Sequence, residues 1–171
     1  MLFSRKQLNM KLKVFVLIFL FLGINASLAQ TDGAHSDGLN WQESLETAKK
    51  IAQEEKKAIL VFFTGSDWCG PCKMLVKDFF ESEKFKILAE KELVLYEADF
   101  PRNRDLVTKE QEKSNKRLQQ NFGVTGYPTV LIIDYKERNF GLRKGYGMIR
   151  ETSYHFDFID QSLNRFYKKN R

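Results

Sequence analysis

The chain reads as an α/β protein with a mixed central β-sheet flanked by helices on both faces, and three observations predict it. Short continuous apolar runs at residues 58–63, 93–98 and 129–133 have the length and composition of strands buried on both faces. Segments with apolar residues at helical spacing lie between and around these runs, which implies parallel crossovers. A polar turn over 134–139 joins the third run to a fourth strand at 140–146, so a hairpin closes the sheet before a last helix. With 43% apolar and 29% charged residues among 171, the chain can bury a real core and is not disordered.

The first 29 residues carry Arg5, Lys6, Lys11 and Lys13 and no acid, then an apolar run over 14–24 broken only by Gly23, then Ala26-Ser27-Leu28-Ala29. A basic start, a short apolar run and small residues at the end predict a secretory signal peptide over 1–29, hence an exported protein, periplasmic or secreted. The run covers roughly half of a hydrocarbon core of about 30 Å, so the alternative, an uncleaved membrane anchor, would draw polar flanks into the bilayer. Cleavage after Ala29 leaves 142 residues: a flexible leader rich in Gly, Ser and Asp at 30–39 and one domain at 40–171. It also lowers the formal charge from +6 to +2, because four of the 28 cations and none of the 22 acids are lost. The basic balance belongs to the export signal, and nucleic-acid binding is not expected.

Within the domain, Asn40 followed by Glu43 has the form of a capping box, and Trp41, Leu45, Ala48 and Ala52 follow at helical spacing. A first helix is therefore expected to run to about Glu55, with Trp41 as its core anchor. After the first strand, Thr64-Gly65-Ser66-Asp67 turns the chain and a helical pattern starts at Cys69, with Pro71 where a helix start tolerates proline. Met74, Leu75, Phe79 and Phe80 lie on one side of it. Glu81-Ser82-Glu83 interrupts the pattern, and Phe85, Leu88 and Ala89 carry it to about Lys91. Between the second and third strands, 105–120 has only Leu106, Val107 and Leu118 as apolar residues, which predicts a surface helix with a thin buried edge. Phe156, Ile159, Leu163 and Phe166 space out the last helix, whose basic end at Lys168, Lys169 and Arg171 suits the macrodipole.

The chain has two cysteines, Cys69 and Cys72. A bridge between residues three apart closes too small a loop to restrain the unfolded chain much, so thiol exchange is the better reason for the pair. Their place between a buried strand and a helix start favours redox chemistry. At the first turn, the Cys69 sulfur faces unpaired N–H groups and the positive end of the helix, which favour thiolate and make it the nucleophile. Cys72, one turn further in, is expected to be more buried and to resolve the mixed disulfide. A zinc site needs further ligands, and the two histidines are His35 in the leader and His155 near the last helix. No metal or other cofactor is expected, and His155 is expected to be a surface or partly packed residue.

Trp68-Cys69-Gly70-Pro71-Cys72-Lys73 resembles the active-site motif of the thioredoxin superfamily, and Gly126-Tyr127-Pro128-Thr129 before the third apolar run resembles its cis-proline loop. The resemblance extends over about residues 41–167. It implies a thioredoxin fold and an exported thiol-disulfide oxidoreductase with Cys69 and Cys72 as its catalytic pair. It also implies substrate contacts through Trp68, Gly70, Pro71, Tyr127 and Pro128. Trp68 would cover the sulfurs, and a cis Pro128 would offer the Tyr127 backbone to an extended substrate strand. Gly70-Pro71 between the cysteines resembles the reductant members of the superfamily. The implied partners are disulfide-bearing protein substrates and a membrane-bound thiol electron donor, with the protein itself a monomer. An isomerase or oxidase of secreted proteins and a non-catalytic peptide-binding module are the alternative readings.

Two departures matter. Thioredoxins have a buried aspartate in the strand before the motif, whereas 58–63 has no ionisable residue, and Phe62 or Phe63 takes that place. The proton of Cys72 must then pass to water or to another acid, for which Glu97 and Asp99 are the candidates. The segment from Asp99-Phe100-Pro101-Arg102 to Phe122 is also longer than in thioredoxin. Together with the Thr64-Gly65-Ser66-Asp67 turn, it resembles exported thioredoxin-like proteins of bacterial envelopes.

Overall fold

Every residue of strand β2 (Ala58–Thr64) is buried, and that places it at the centre of the sheet. The computed structural model describes residues 38–170; the expected signal peptide, residues 30–37 of the leader and His35 lie outside the described residues. The sheet order is β1 (Trp41–Gln42), β3 (Leu93–Asp99), β2, β4 (Thr129–Ile133) and β5 (Asn139–Lys144). β1 and β3 are parallel pairs, as are β3 and β2, while β4 runs antiparallel to β2 and β5 antiparallel to β4. The pleat sends Leu60 and Phe62 to one face and Ile59, Val61 and Phe63 to the other, which is why β2 is apolar without alternation.

Helices α1 (Leu45–Glu55) and α4 (Lys109–Asn121) supply Leu45, Ala48, Ala52 and Leu118 to one face. Helices α2 (Gly70–Leu75), α3 (Glu83–Glu92) and α5 (Ser153–Asn170) cover the other with Leu75, Phe85, Ala89, Ile159, Leu163 and Phe166. Between α2 and α3, Val76–Phe80 forms one π-helical turn, and the consecutive Phe79 and Phe80 are both fully buried there. Ser82 then caps α3, its hydroxyl accepting the Phe85 N–H. The mixed sheet with helices on both faces is therefore as expected.

Three local expectations are corrected. Asn40 does not open a helix: Trp41 and Gln42 form the short edge strand β1, and Ser44 caps α1 by accepting the Thr47 N–H at 3.1 Å. Trp41 is a core residue, as expected, but packs from a strand, with its ring 6.1 Å from Phe62 and 5.4 Å from Phe80. Pairing with β3 outweighs helical spacing over so short a stretch. The polar helix begins at Lys109 rather than 105, because Thr108 and Gln111 close a capping box; Leu106 lies in a 3₁₀ turn and is exposed. His155 is buried rather than at the surface, between the rings of Phe79 and Tyr146, and burial beside Arg143 pushes its pKa down to about 4.

The β4–β5 turn is fastened to the helices on its face by one carboxylate. Glu137, in the left-handed region at φ 61°, takes two hydrogen bonds from Arg117 of α4 at 2.6 and 2.9 Å and one from Lys49 of α1 at 3.1 Å. The guanidinium beside it, and then Lys49, hold its carboxyl below the ordinary glutamate range. A depressed pKa stabilises the fold above the unfolded value and is lost as pH falls through the folded one. Glu137→Gln should therefore cost about 1 kcal/mol in denaturant unfolding at neutral pH, and the difference from the parent should close as pH falls below the ordinary glutamate range. A penalty unchanged at low pH would assign the loss to packing.

Candidate active site at the end of the central strand

β2 ends at Thr64, and Gly65 begins the turn that carries the cysteines. The Trp68 and Cys69 N–H groups both donate to the Gly65 carbonyl, at 3.1 and 2.7 Å. A Cβ at this position would stand 2.3 Å from the Trp68 ring, so glycine is what lets the indole fold over the turn. Cys69 is the N-cap of α2, with Pro71 in the first turn. Cys69 and Cys72 are joined in a disulfide with their Cα atoms 5.2 Å apart, and the Cys72 N–H donates to Cys69 Sγ at 3.3 Å. An otherwise unpaired N–H of the helix start thus points at that sulfur. Cys69 is 3% exposed and Cys72 1%, so in the disulfide form the difference in burial is small; Trp68, Gly70, Pro71 and Lys73 are the exposed residues of the motif.

Trp68 connects this turn to the other predicted site residues. Its ring meets Tyr127 edge-on at 5.8 Å, and its Nε1 donates to the Phe100 carbonyl at 2.9 Å. Tyr127 stacks on Phe100 at 5.3 Å, its hydroxyl accepts from Gln119 at 2.7 Å, and burial raises its pKa. The Tyr127–Pro128 peptide is cis, as expected, and the Pro128 carbonyl accepts the Gly145 N–H at 2.8 Å. The turn is anchored by two acids. Asp99 accepts the Ser66 N–H at 2.8 Å and the Ser66 hydroxyl at 2.5 Å. Asp67 accepts the N–H groups of Arg102 and Asn103 at 2.9–3.0 Å, and these bonds, led by that of Asn103, hold its carboxyl below the usual aspartate range.

Phe62 occupies the core cluster of the cysteines, in ring contact with Phe80 at 4.8 Å, whereas Phe63 lies in the cluster of the opposite face. Of the two candidates for the place of the missing aspartate, Phe62 is the one on the sheet face of the cysteines. Glu97 pairs with Phe62 in the β2–β3 register and Asp99 with Thr64. Both acids line a cleft of about 340 Å³ with Trp41, Ser66, Gln111 and Asn115, and neither cysteine lines it.

Several residues of this end carried no usable sequence signal. Asp78, in the π-helical turn, accepts from the Tyr146 hydroxyl at 2.8 Å and from both Nε and Nη2 of Arg150, and the guanidinium holds its carboxyl below the usual range. The partners lie 68 and 72 residues away, beyond the reach of any local pattern. This clamp fixes the loop that presents Met148 and Ile149 to solvent. Asn115 is buried in the polar helix, where it accepts from Tyr96 at 2.6 Å and donates to the Asp99 carbonyl at 2.9 Å. Among the described residues, no helix is long and apolar enough to cross a membrane.

Comparison with known proteins agrees with this geometry. A family described as thioredoxin-like matches residues 40–134. The disulfide bond reductase DsbH of Chlamydia pneumoniae is 35% identical over 108 residues, 63% of this chain and 64% of that protein. The thioredoxin-related protein DsbJ of the same organism is 28% identical over 134 residues, 78% of this chain and 38% of DsbJ. The match thus spans just under two thirds of the first relative and well under half of the second. A solved structure of DsbH oxidoreductase superposes with a TM-score of 0.64 at 28% identity, covering 80% of this chain and 92% of that one. A thioredoxin from Thermus thermophilus, at a TM-score of 0.52 and 16% identity over 71% of this chain and 85% of its own, shares the fold. The chain has the thioredoxin fold and belongs to the thioredoxin-like family.

Proposed function

We propose that the chain is an exported thiol-disulfide oxidoreductase that reduces disulfides in proteins. The observation that carries the reading is the Cys69–Cys72 disulfide at the N-cap of α2, with a helix N–H directed at Cys69 Sγ. On reduction, a Cys69 thiolate would accept the same N–H. It attacks one sulfur of the substrate disulfide, whose S–S bond breaks and releases one substrate thiolate, leaving a mixed disulfide on Cys69. Cys72 then loses its proton and attacks Cys69 Sγ. The second substrate thiolate leaves, the Cys69–Cys72 bond forms, and two electrons have passed to the substrate. Tyr127 offers its backbone to an extended substrate segment beside Trp68, with Gly70 and Pro71 exposed around the sulfurs.

The reducing direction is supported by the Gly70-Pro71 pair and by the name of the DsbH relative. In an oxidising compartment the spent disulfide must be reduced again, which calls for a membrane-bound thiol donor. Glu97 is the acceptor of the Cys72 proton, directly or through a water. It stands opposite Phe62, the residue in the place of the missing aspartate, in the β2–β3 register.

Insulin reduction tests the reaction, and trapping tests the roles. Cys72→Ser should accumulate mixed disulfides with substrate proteins while Cys69→Ser accumulates few, and iodoacetamide should label Cys69 of the reduced protein first. Equal trapping and labelling would remove the assignment. Glu97→Gln should slow insulin reduction by about tenfold or more and leave a mixed disulfide standing, as loss of a positioned proton acceptor does. Release at the parent rate by both Glu97→Gln and Asp99→Asn would make water the acceptor. For export, the mass of the protein from its native envelope should correspond to a start at or near Gln30; an intact Met1 start would support an anchor.

A further inference from the structure

The inserted segment after β3 is built onto the turn that precedes Cys69, and it delivers a cation there. Phe100 packs between Phe63 and Tyr127, with ring centroids 6.5 and 5.3 Å away, and its carbonyl receives the Trp68 indole N–H. The backbone N–H groups of Arg102 and Asn103 are both held by the Asp67 carboxylate. These contacts fix the Arg102 backbone next to Trp68, and its guanidinium lies 5.4 Å from the centre of the indole. Arg102 is exposed, and among the described residues no carboxylate stands within ion-pair distance of it. Asp67, the nearest acid in sequence to the motif, accepts its hydrogen bonds from the Arg102 and Asn103 backbone N–H groups and meets the Arg102 guanidinium only through its charge. A second cation, Lys73, reaches the turn before Cys69 from the helix side, donating to the Asp67 carbonyl at 3.3 Å.

A guanidinium resting on an aromatic face is held in one orientation and loses little freedom when it meets a partner. The N–H fork of a guanidinium matches the geometry of a carboxylate, and Arg102 is exposed. A polypeptide whose cysteine approaches Cys69 along Tyr127 passes Trp68 and therefore passes Arg102.

We propose that Arg102 is a specificity-determining residue that favours disulfides flanked by aspartate or glutamate in the substrate protein. This rests on the reductase reading above and adds a substrate class to it. The Arg102 charge disfavours lysine or arginine at the same positions, so selection acts in both directions.

The test uses two synthetic peptides of equal length, each closed by one disulfide and differing only in an Asp-Asp or a Lys-Lys pair beside the cysteine. Both are reduced by the full mature protein with dithiothreitol as the final donor, and kcat/KM is measured for each. The parent protein should prefer the acidic peptide by about threefold to tenfold at about 20 mM salt, and the preference should shrink towards unity at about 500 mM. Arg102→Gln should remove most of the preference, and Arg102→Glu should invert it. Lys168→Gln, an equal charge loss at the far end of α5, should leave the ratio as in the parent. Equal use of the two peptides by the parent, or a ratio that Arg102→Glu leaves unchanged, overturns the selection while the reductase reading stands. Failure to reduce either peptide, and insulin as well, overturns the reductase reading and the proposal with it.

Discussion

The architecture depends on one constraint, the burial of β2 on both faces. A strand with no solvent side must be covered by helices above and below, which fixes the layers. It must also end abruptly where the chain leaves the core, and that end is where the cysteines stand. Thr64 is still buried, Gly65 turns under the Trp68 ring, and Cys69 caps the next helix five residues after the strand. The disulfide is placed by the end of the strand, and its surroundings by what the neighbouring strands deliver to the same end. β3 brings Asp99 and Phe100, and the segment before β4 brings Tyr127 and Pro128.

Beneath the sulfurs the core is aromatic. Phe62, Phe80 and Trp41 are in mutual ring contact, and the π-helical turn allows Phe79 and Phe80 to be buried together. A phenylalanine where thioredoxins have an aspartate removes a buried charge that would cost several kcal/mol unless paired. The ionisable groups of this end sit instead around its rim, in defined hydrogen bonds: Asp99 with Ser66, Asp67 with the inserted segment, Asp78 with Tyr146 and Arg150. The rim is therefore organised by hydrogen-bonded acids, while the Arg102 guanidinium lies over the Trp68 ring and Lys73 donates to the Asp67 carbonyl.

Much of this was legible in the sequence where the signal was local. Three apolar runs gave the long strands within one residue, and the two motifs marked the turn and the cis-proline loop because each combines a special residue with a strand boundary. Thr108 and Gln111 have the spacing of a capping box, which the expected start at 105 passed over in favour of the continuous polar stretch. The two-residue strand β1 was not, since two paired residues leave no period to detect and Trp41 fits helical spacing equally well. The burial of His155 and the Asp78 clamp depend on contacts across 68 or more residues, so no window of sequence contains them. The choice between Phe62 and Phe63 turned on the direction of the pleat, which a strand buried on both faces does not disclose.

The claim on which the functional account rests is that the Cys69–Cys72 pair gives electrons to substrates. Its reduction potential, measured by equilibration of the mature protein in glutathione or dithiothreitol buffers, tests that claim most directly. The account predicts a potential near that of reducing thioredoxins, about −270 mV. A potential near about −120 mV, typical of a strong disulfide donor, would contradict it and make the protein an oxidant.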